Sequence, residues 1–87
     1  MLTRADRPTG EDVLDAVRSA VGVVLEVEQD RISRDTTFAE LKADSLVLVE
    51  VAEILEQRFS PLLHIPDADL EAMRTIGDAA DYTLARL

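Results

Sequence analysis

The chain has 87 residues, with 18 Asp and Glu against 9 Lys and Arg, for a formal charge of −9. That length fits one small domain, and so acidic a surface is repelled by nucleic-acid phosphates and anionic membranes, which leaves a basic protein as the expected class of partner. Apolar residues make up 47% of the chain, too many for a charged disordered tail, so a core is expected; with only Phe38, Phe59 and Tyr82 as aromatics, that core must be aliphatic.

There is no cysteine and one histidine, His64. Disulfides, thiolate metal sites and cysteine nucleophiles are excluded and a His-rich zinc site cannot be built; carboxylate-rich magnesium or calcium sites stay formally open, and no metal site is assigned. A small fold without disulfides fits the reducing cytoplasm, the expected location. No window approaches the roughly 20 apolar residues of a membrane span, and residues 1–10 lack the apolar core of a signal peptide. A monomer without nucleic-acid or membrane partners is expected.

Residues 1–8 are mixed and charged and read as a frayed tail ahead of a domain over 9–87. Thr9, with Asp12 three residues on, makes a capping-box start. Val13, Leu14, Val17, Val21, Val24 and Leu25 recur at three- and four-residue steps and predict a helix over about 10–26, weakened but not ended by Gly22. Residues 27–44 lose this period and are rich in turn formers. They predict a long ordered loop anchored by Ile32, Phe38 and Leu41, and loops this long in small domains are usually functional or held by packing. A second helix is predicted from about Ser45 to Phe59, capped by Asp44 or Ser45 and stopped by Ser60-Pro61. Pro66-Asp67 opens a brief helical turn over 67–72. Thr75 and Asp78 cap a last helix running to about Arg86, with Ile76, Ala79, Ala80, Tyr82 or Thr83, and Leu87 inward. No alternating strand stands out, so the fold class is all-α, four helical elements with a long first loop and a short third helix.

At 100° per residue, Val49, Ala52, Leu55 and Phe59, flanked by Leu48 and Val51, share a broad arc on the second helix that must face the core. Leu46, Glu50, Glu53 and Gln57 form a separate stripe, with Val47 and Ile54 between stripe and arc. Glu50 and Glu53 read either as a solvated face or, beside Leu46, Val47 and Ile54, as a docking surface. Ser45 has two readings as well. It is a plain helix cap, or a modified serine whose added phosphate is stabilised by the free N–H groups and dipole of the helix start.

The segment Phe38-Ala39-Glu40-Leu41-Lys42-Ala43-Asp44-Ser45-Leu46, followed by Val49-Glu50 and the run to Glu56 and Phe59, resembles the acyl carrier protein family. That family's pattern is a phenylalanine, a Leu-Gly-x-Asp-Ser-Leu segment, and Val-Glu four residues past the serine. Asp35-Thr36-Thr37-Phe38, Ile65-Pro66-Asp67 and Thr75-Ile76 through Asp81-Tyr82 extend the resemblance to residues 10–86, and it implies the family's four-helix bundle. It also implies that Ser45 carries 4′-phosphopantetheine, added from coenzyme A by a phosphopantetheinyl transferase, and that acyl groups ride on the arm as thioesters. Asp44, Leu46, Glu50 and Glu53 match the face the family presents to basic patches on the transferase and on acyl-loading, ketosynthase-type and other acyl-processing enzymes, with Val47 and Ile54 beside it.

Three positions depart from the pattern. Lys42 stands where the family usually has glycine, Val47 where fatty-acid carriers usually have an acidic residue, and Leu48 where a small polar one is common. A more apolar, less acidic patch points to polyketide or related natural-product assembly ahead of fatty acid synthesis. Leu48 and, less readily, Val47 also read as core contacts. A peptidyl carrier shares the mechanism but usually has Gly-Gly ahead of the serine region, where this chain has Lys42-Ala43. An adaptor with an unmodified acidic helix is the alternative from a different class. A serine hydrolase lacks support, since no Gly-x-Ser-x-Gly elbow is present and His64, expected to pack in the short apolar connection Leu62-Leu63-His64-Ile65 or cap the short helix, is the only imidazole. The chain is therefore expected to be a carrier and not an enzyme.

Overall fold

Two of the helices begin with the same reciprocal exchange. In the computed structural model, which describes residues 8–87, Thr9 Oγ1 accepts from the Asp12 N–H at 3.1 Å while Asp12 Oδ2 accepts from the Thr9 N–H at 3.0 Å. Thr75 and Asp78 repeat it at 3.0 and 3.1 Å. Each exchange satisfies two backbone donors that a helix start leaves without partners. The first opens α1 (Gly10–Leu25); the second opens α4 (Ile76–Ala85). Asp78 also accepts from the Arg74 N–H at 3.0 Å. The Arg74 and Thr75 N–H donors hold its carboxyl below the ordinary aspartate value. Apart from Pro8, the tail expected over residues 1–8 lies outside the described residues.

Gly22 explains how α1 ends. Glu26 takes a left-handed conformation (φ 55°), and the chain folds back until the Val27 N–H donates to the Gly22 carbonyl at 3.1 Å. A β-carbon on Gly22 would stand 2.9 Å from the Val27 carbonyl oxygen, so this reversal needs the bare backbone. Val13, Ala16, Val17, Ala20 and Val21 are buried on the inner face of α1, with Leu14, Val24 and Leu25 half-buried.

The long segment after α1 is held by named ties. It contains one 3-10 turn, Gln29–Arg31, which the loss of helical period concealed. Arg18 on α1 clasps that turn, donating from Nε to the Ile32 carbonyl at 2.6 Å and from a terminal nitrogen to the Gln29 carbonyl at 2.8 Å. Ile32, 1% exposed, enters the core, a burial worth roughly 1.5–3 kcal/mol. Further on, Phe38 N donates to Arg74 O at 2.9 Å, Ile76 N to Thr36 O at 2.9 Å, and Gly77 N to Arg34 O at 2.8 Å. Arg34 also pairs with Asp81 at 2.5 Å. The loop is thereby laced to the start of α4, which is how so long a connection keeps one shape.

The remaining helices are α2 (Ser45–Arg58) and α3 (Asp67–Glu71). α1 packs on α2 and α4, and α2 packs on α3. Among the described residues there are four α-helices and no strand, only one isolated bridge between Thr37 and Thr75. On α2 the buried residues are Val51, Ala52 and Leu55, while Leu48, Val49 and Phe59 are half-buried. The most buried line of the helix thus runs through Val51, Ala52 and Leu55, while Val49 packs at its edge and lines a cleft against α3. His64 departs from expectation: its side chain is 83% exposed, with Nδ1 3.3 Å from Glu56 Oε2, and it caps nothing. Leu63 and Ile65 take the buried positions on either side, so the residue between them is turned outward.

Candidate attachment site

A strained turn delivers the start of α2. Phe38 is buried, and its carbonyl accepts from the Ala43 N–H at 3.0 Å while the Lys42 N–H donates to Ala39 O at 3.0 Å. Closing that turn puts Lys42 at φ 57°, a conformation that costs a residue with a side chain roughly 1–2 kcal/mol and glycine almost nothing. Asp44 follows in extended conformation and caps the helix, its Oδ1 accepting from the Val47 N–H at 3.0 Å and its carbonyl from the Leu48 N–H at 3.0 Å. The cap is therefore Asp44, and Ser45 is the first helical residue.

Ser45 is exposed. Among the described residues its hydroxyl has no hydrogen-bond partner, and the Ser45 and Leu46 N–H groups find no acceptor. A free hydroxyl therefore stands at the positive end of a helix dipole, where an added negative group is favoured by about 0.3–1 kcal/mol. Leu46 is 66% exposed, and Glu50, Glu53 and Gln57 continue the same exposed stripe. Val47 and Ile54 are half-buried, as is Leu48, and all three pack against the core. The exposed apolar contribution of the stripe is thus concentrated in Leu46.

Beside Ser45 lies a cleft of about 90 Å³ between the first turns of α2 and α3, lined by Ser45, Leu48, Val49, Asp67, Leu70 and Glu71. Its floor is apolar and its rim carries two carboxylates. Sequence periodicity places Leu48 and Val49 on the core-facing arc and assigns neither them nor Leu70 to a cleft; the only signal for Leu70 is its place as the one large apolar residue in a five-residue helix. A larger groove, about 490 Å³, lies at the other end of α2 and is lined in part by Glu53, Glu56, Gln57 and His64. It is remote from Ser45: Glu56, eleven residues further on, stands about 16 Å away at 1.5 Å per residue. Glu56 Oε2 is occupied by the Ile65 N–H at 2.8 Å. His64, its neighbour, is therefore too far from Ser45 to act as its base.

The family described as "Phosphopantetheine attachment site" matches residues 15–83. The acyl carrier protein of Cyanidioschyzon merolae (strain NIES-3377 / 10D) is 42% identical over 77 residues, covering 87% of this chain and 82% of its own. The chain belongs to the acyl carrier protein family. The family's cofactor is 4′-phosphopantetheine, and such an arm needs an exposed hydroxyl with room beside it. Ser45 and its cleft fit that need. The four-helix arrangement agrees with the family's bundle, and the left-handed backbone at Lys42 accounts for the glycine usual there.

Proposed function

We propose that Ser45 bears the 4′-phosphopantetheine arm and that the chain carries acyl groups between the enzymes of a biosynthetic pathway, acting as their substrate and catalysing nothing itself. One observation carries this reading. The Ser45 hydroxyl is exposed, without hydrogen-bond partner among the described residues, at the first position of α2. When bound, the arm supplies a terminal thiol that holds acyl groups as thioesters. The chain's own part is to present and to stabilise. Asp44 fixes the first turn through the Val47 N–H, leaving the Ser45 and Leu46 N–H groups and the helix dipole to meet the phosphodiester charge. The absence of an imidazole near Ser45 supports a modified serine over a nucleophilic one.

The partners are a phosphopantetheinyl transferase and acyl-loading, ketosynthase-type and other acyl-processing enzymes, docking through basic patches in the cytoplasm. Leu46, Glu50 and Glu53 supply the exposed contact, with Asp44 at its head and Val47 and Ile54 along its inner edge. Rim charges of this kind raise encounter rate and select partners without making the complex long-lived, which suits a shuttle. Lys42 and Val47, where fatty-acid carriers usually have glycine and an acidic residue, make the patch less acidic and favour polyketide or related natural-product assembly over general fatty acid synthesis, while Leu48 packs against the core and lines the cleft. Incubation with coenzyme A and a broad-specificity transferase, followed by intact-mass measurement, tests the reading: one phosphopantetheine is gained by the wild type and none by Ser45→Ala. An unchanged wild-type mass would overturn it.

A further inference from the structure

Of the walls of the Ser45 cleft, α3 is the short one. It has five residues, and its cap position, Pro66, makes no side-chain hydrogen bond to the helix. Asp67, Leu70 and Glu71 face the cleft, whereas Asp69 lines a second groove between α3 and α4 together with Tyr82 and Arg86. There the Tyr82 hydroxyl donates to Asp69 Oδ2 at 2.5 Å. The Arg86 guanidinium lies 3.5 Å from the centre of the Tyr82 ring, 4.0 Å from the same Asp69 oxygen, and donates to the Tyr82 carbonyl at 3.3 Å. Burial, and then the bond to Asp69, raise the Tyr82 hydroxyl above its ordinary pKa, so at neutral pH it remains a donor.

The two ends of this group differ in firmness. α4 is fixed by its capping box and by the buried Ile76, Ala79 and Ala80, while α3 is a single turn. Any movement of α3 that widens the cleft carries Asp69 with Leu70, its neighbour in the chain, and must break a short O–H···O bond, which weakens steeply as it is stretched or bent. At about 90 Å³ the cleft is well below the roughly 300–1,000 Å³ of pockets that enclose whole ligands. It has room for the first atoms of an attached chain and not for a long one.

We propose that the Tyr82–Asp69 pair, clasped by Arg86, is a catch that sets how far α3 stands from α2 and so limits the length of acyl chain the cleft shelters. This rests on Ser45 bearing the arm. Tyr82 and Asp69 are positioning residues that act through α3 and touch neither the arm nor its cargo.

The test compares wild type, Tyr82→Phe and Asp69→Ala, each loaded from acetyl- and octanoyl-coenzyme A by a broad transferase, with hydroxylamine cleavage of the thioester as the readout. Releasing the catch lets the cleft open around the longer chain. Octanoyl cleavage then slows several-fold in both variants relative to wild type, while acetyl cleavage is unchanged. Asp69→Asn, which keeps an acceptor for Tyr82, behaves as wild type. Equal octanoyl rates in all loaded proteins overturn the catch, as does a change shared equally by acetyl and octanoyl or accompanied by loss of helical circular dichroism. A wild type that gains no mass at the loading step overturns the Ser45 reading itself, and the catch with it, so the two failures are distinguished.

Discussion

Gly77 lies directly against Arg34: its N–H donates to the Arg34 carbonyl at 2.8 Å, and a β-carbon on it would stand 2.6 Å from Arg34 Cγ and 3.0 Å from that carbonyl oxygen. The contact joins the loop that leads to Ser45 to the first turn of α4. The Arg34 side chain can swing aside, but its carbonyl cannot move without loosening the lacing. Gly77→Ala is therefore expected to destabilise the domain by about 1–3 kcal/mol, the usual range for overpacking a close contact. Chemical denaturation followed by circular dichroism measures this; an unchanged midpoint would show that the loop yields freely.

Lys42 gives the opposite expectation. Its φ of 57° is imposed by the turn that carries Phe38 into the core and Asp44 to the helix cap. Lys42→Gly removes the β-carbon clash and returns about 1 kcal/mol, less whatever the glycine adds to unfolded-chain entropy. Lys42→Val, β-branched and at positive φ, should cost more than Lys42→Ala. Paired denaturation curves decide the order, and a glycine variant less stable than wild type would contradict the strain argument.

Thr83 is fully buried, and among the described residues its hydroxyl has no hydrogen-bond partner. A buried hydroxyl without a partner costs roughly 1–3 kcal/mol, which an isosteric apolar side chain avoids. Thr83→Val is accordingly expected to raise the melting temperature. A fall in melting temperature would mean that the hydroxyl is satisfied in solution.

Glu50 is exposed on the stripe beside Ser45 and forms no ion pair among the described residues. Glu50→Lys should leave the fold intact and slow the transferase reaction by roughly tenfold at low ionic strength. The difference should shrink as salt shortens the screening length to about 10 Å at 0.1 M. Initial rates across a salt series measure it, and equal rates at low salt would remove Glu50 from the docking surface.

Much of this architecture is legible because its signals are local. Thr9 with Asp12 and Thr75 with Asp78 announce helix starts three residues in advance, and the α2 stripe follows from rotation alone. The ties that shape the loop carry no comparable signal: the carbonyls of Arg34, Thr36 and Arg74 accept hydrogen bonds that any residue could supply, and Arg18 reaches fourteen positions along the chain to Ile32. His64 faces solvent instead of the apolar connection, because an apolar neighbourhood in sequence says nothing about which residue of an alternating run faces out. Asp69 and Tyr82, thirteen residues apart on different helices, meet only once α3 and α4 are folded. Around Ser45, sequence supplied the exposed face of α2, while the opposing wall from α3 required the tertiary structure.

The central claim, that Ser45 bears the arm, is tested most directly by mapping the modification. Trypsin cleaves after Lys42 and Arg58, and the peptide spanning residues 43–58 contains Ser45 as its one hydroxyl-bearing side chain. After treatment with coenzyme A and a broad transferase, fragmentation of that peptide should show one phosphopantetheine on Ser45, with Ser19, Ser33 and Ser60 unmodified. An unmodified 43–58 peptide, or a phosphopantetheine on any other serine, would contradict the account.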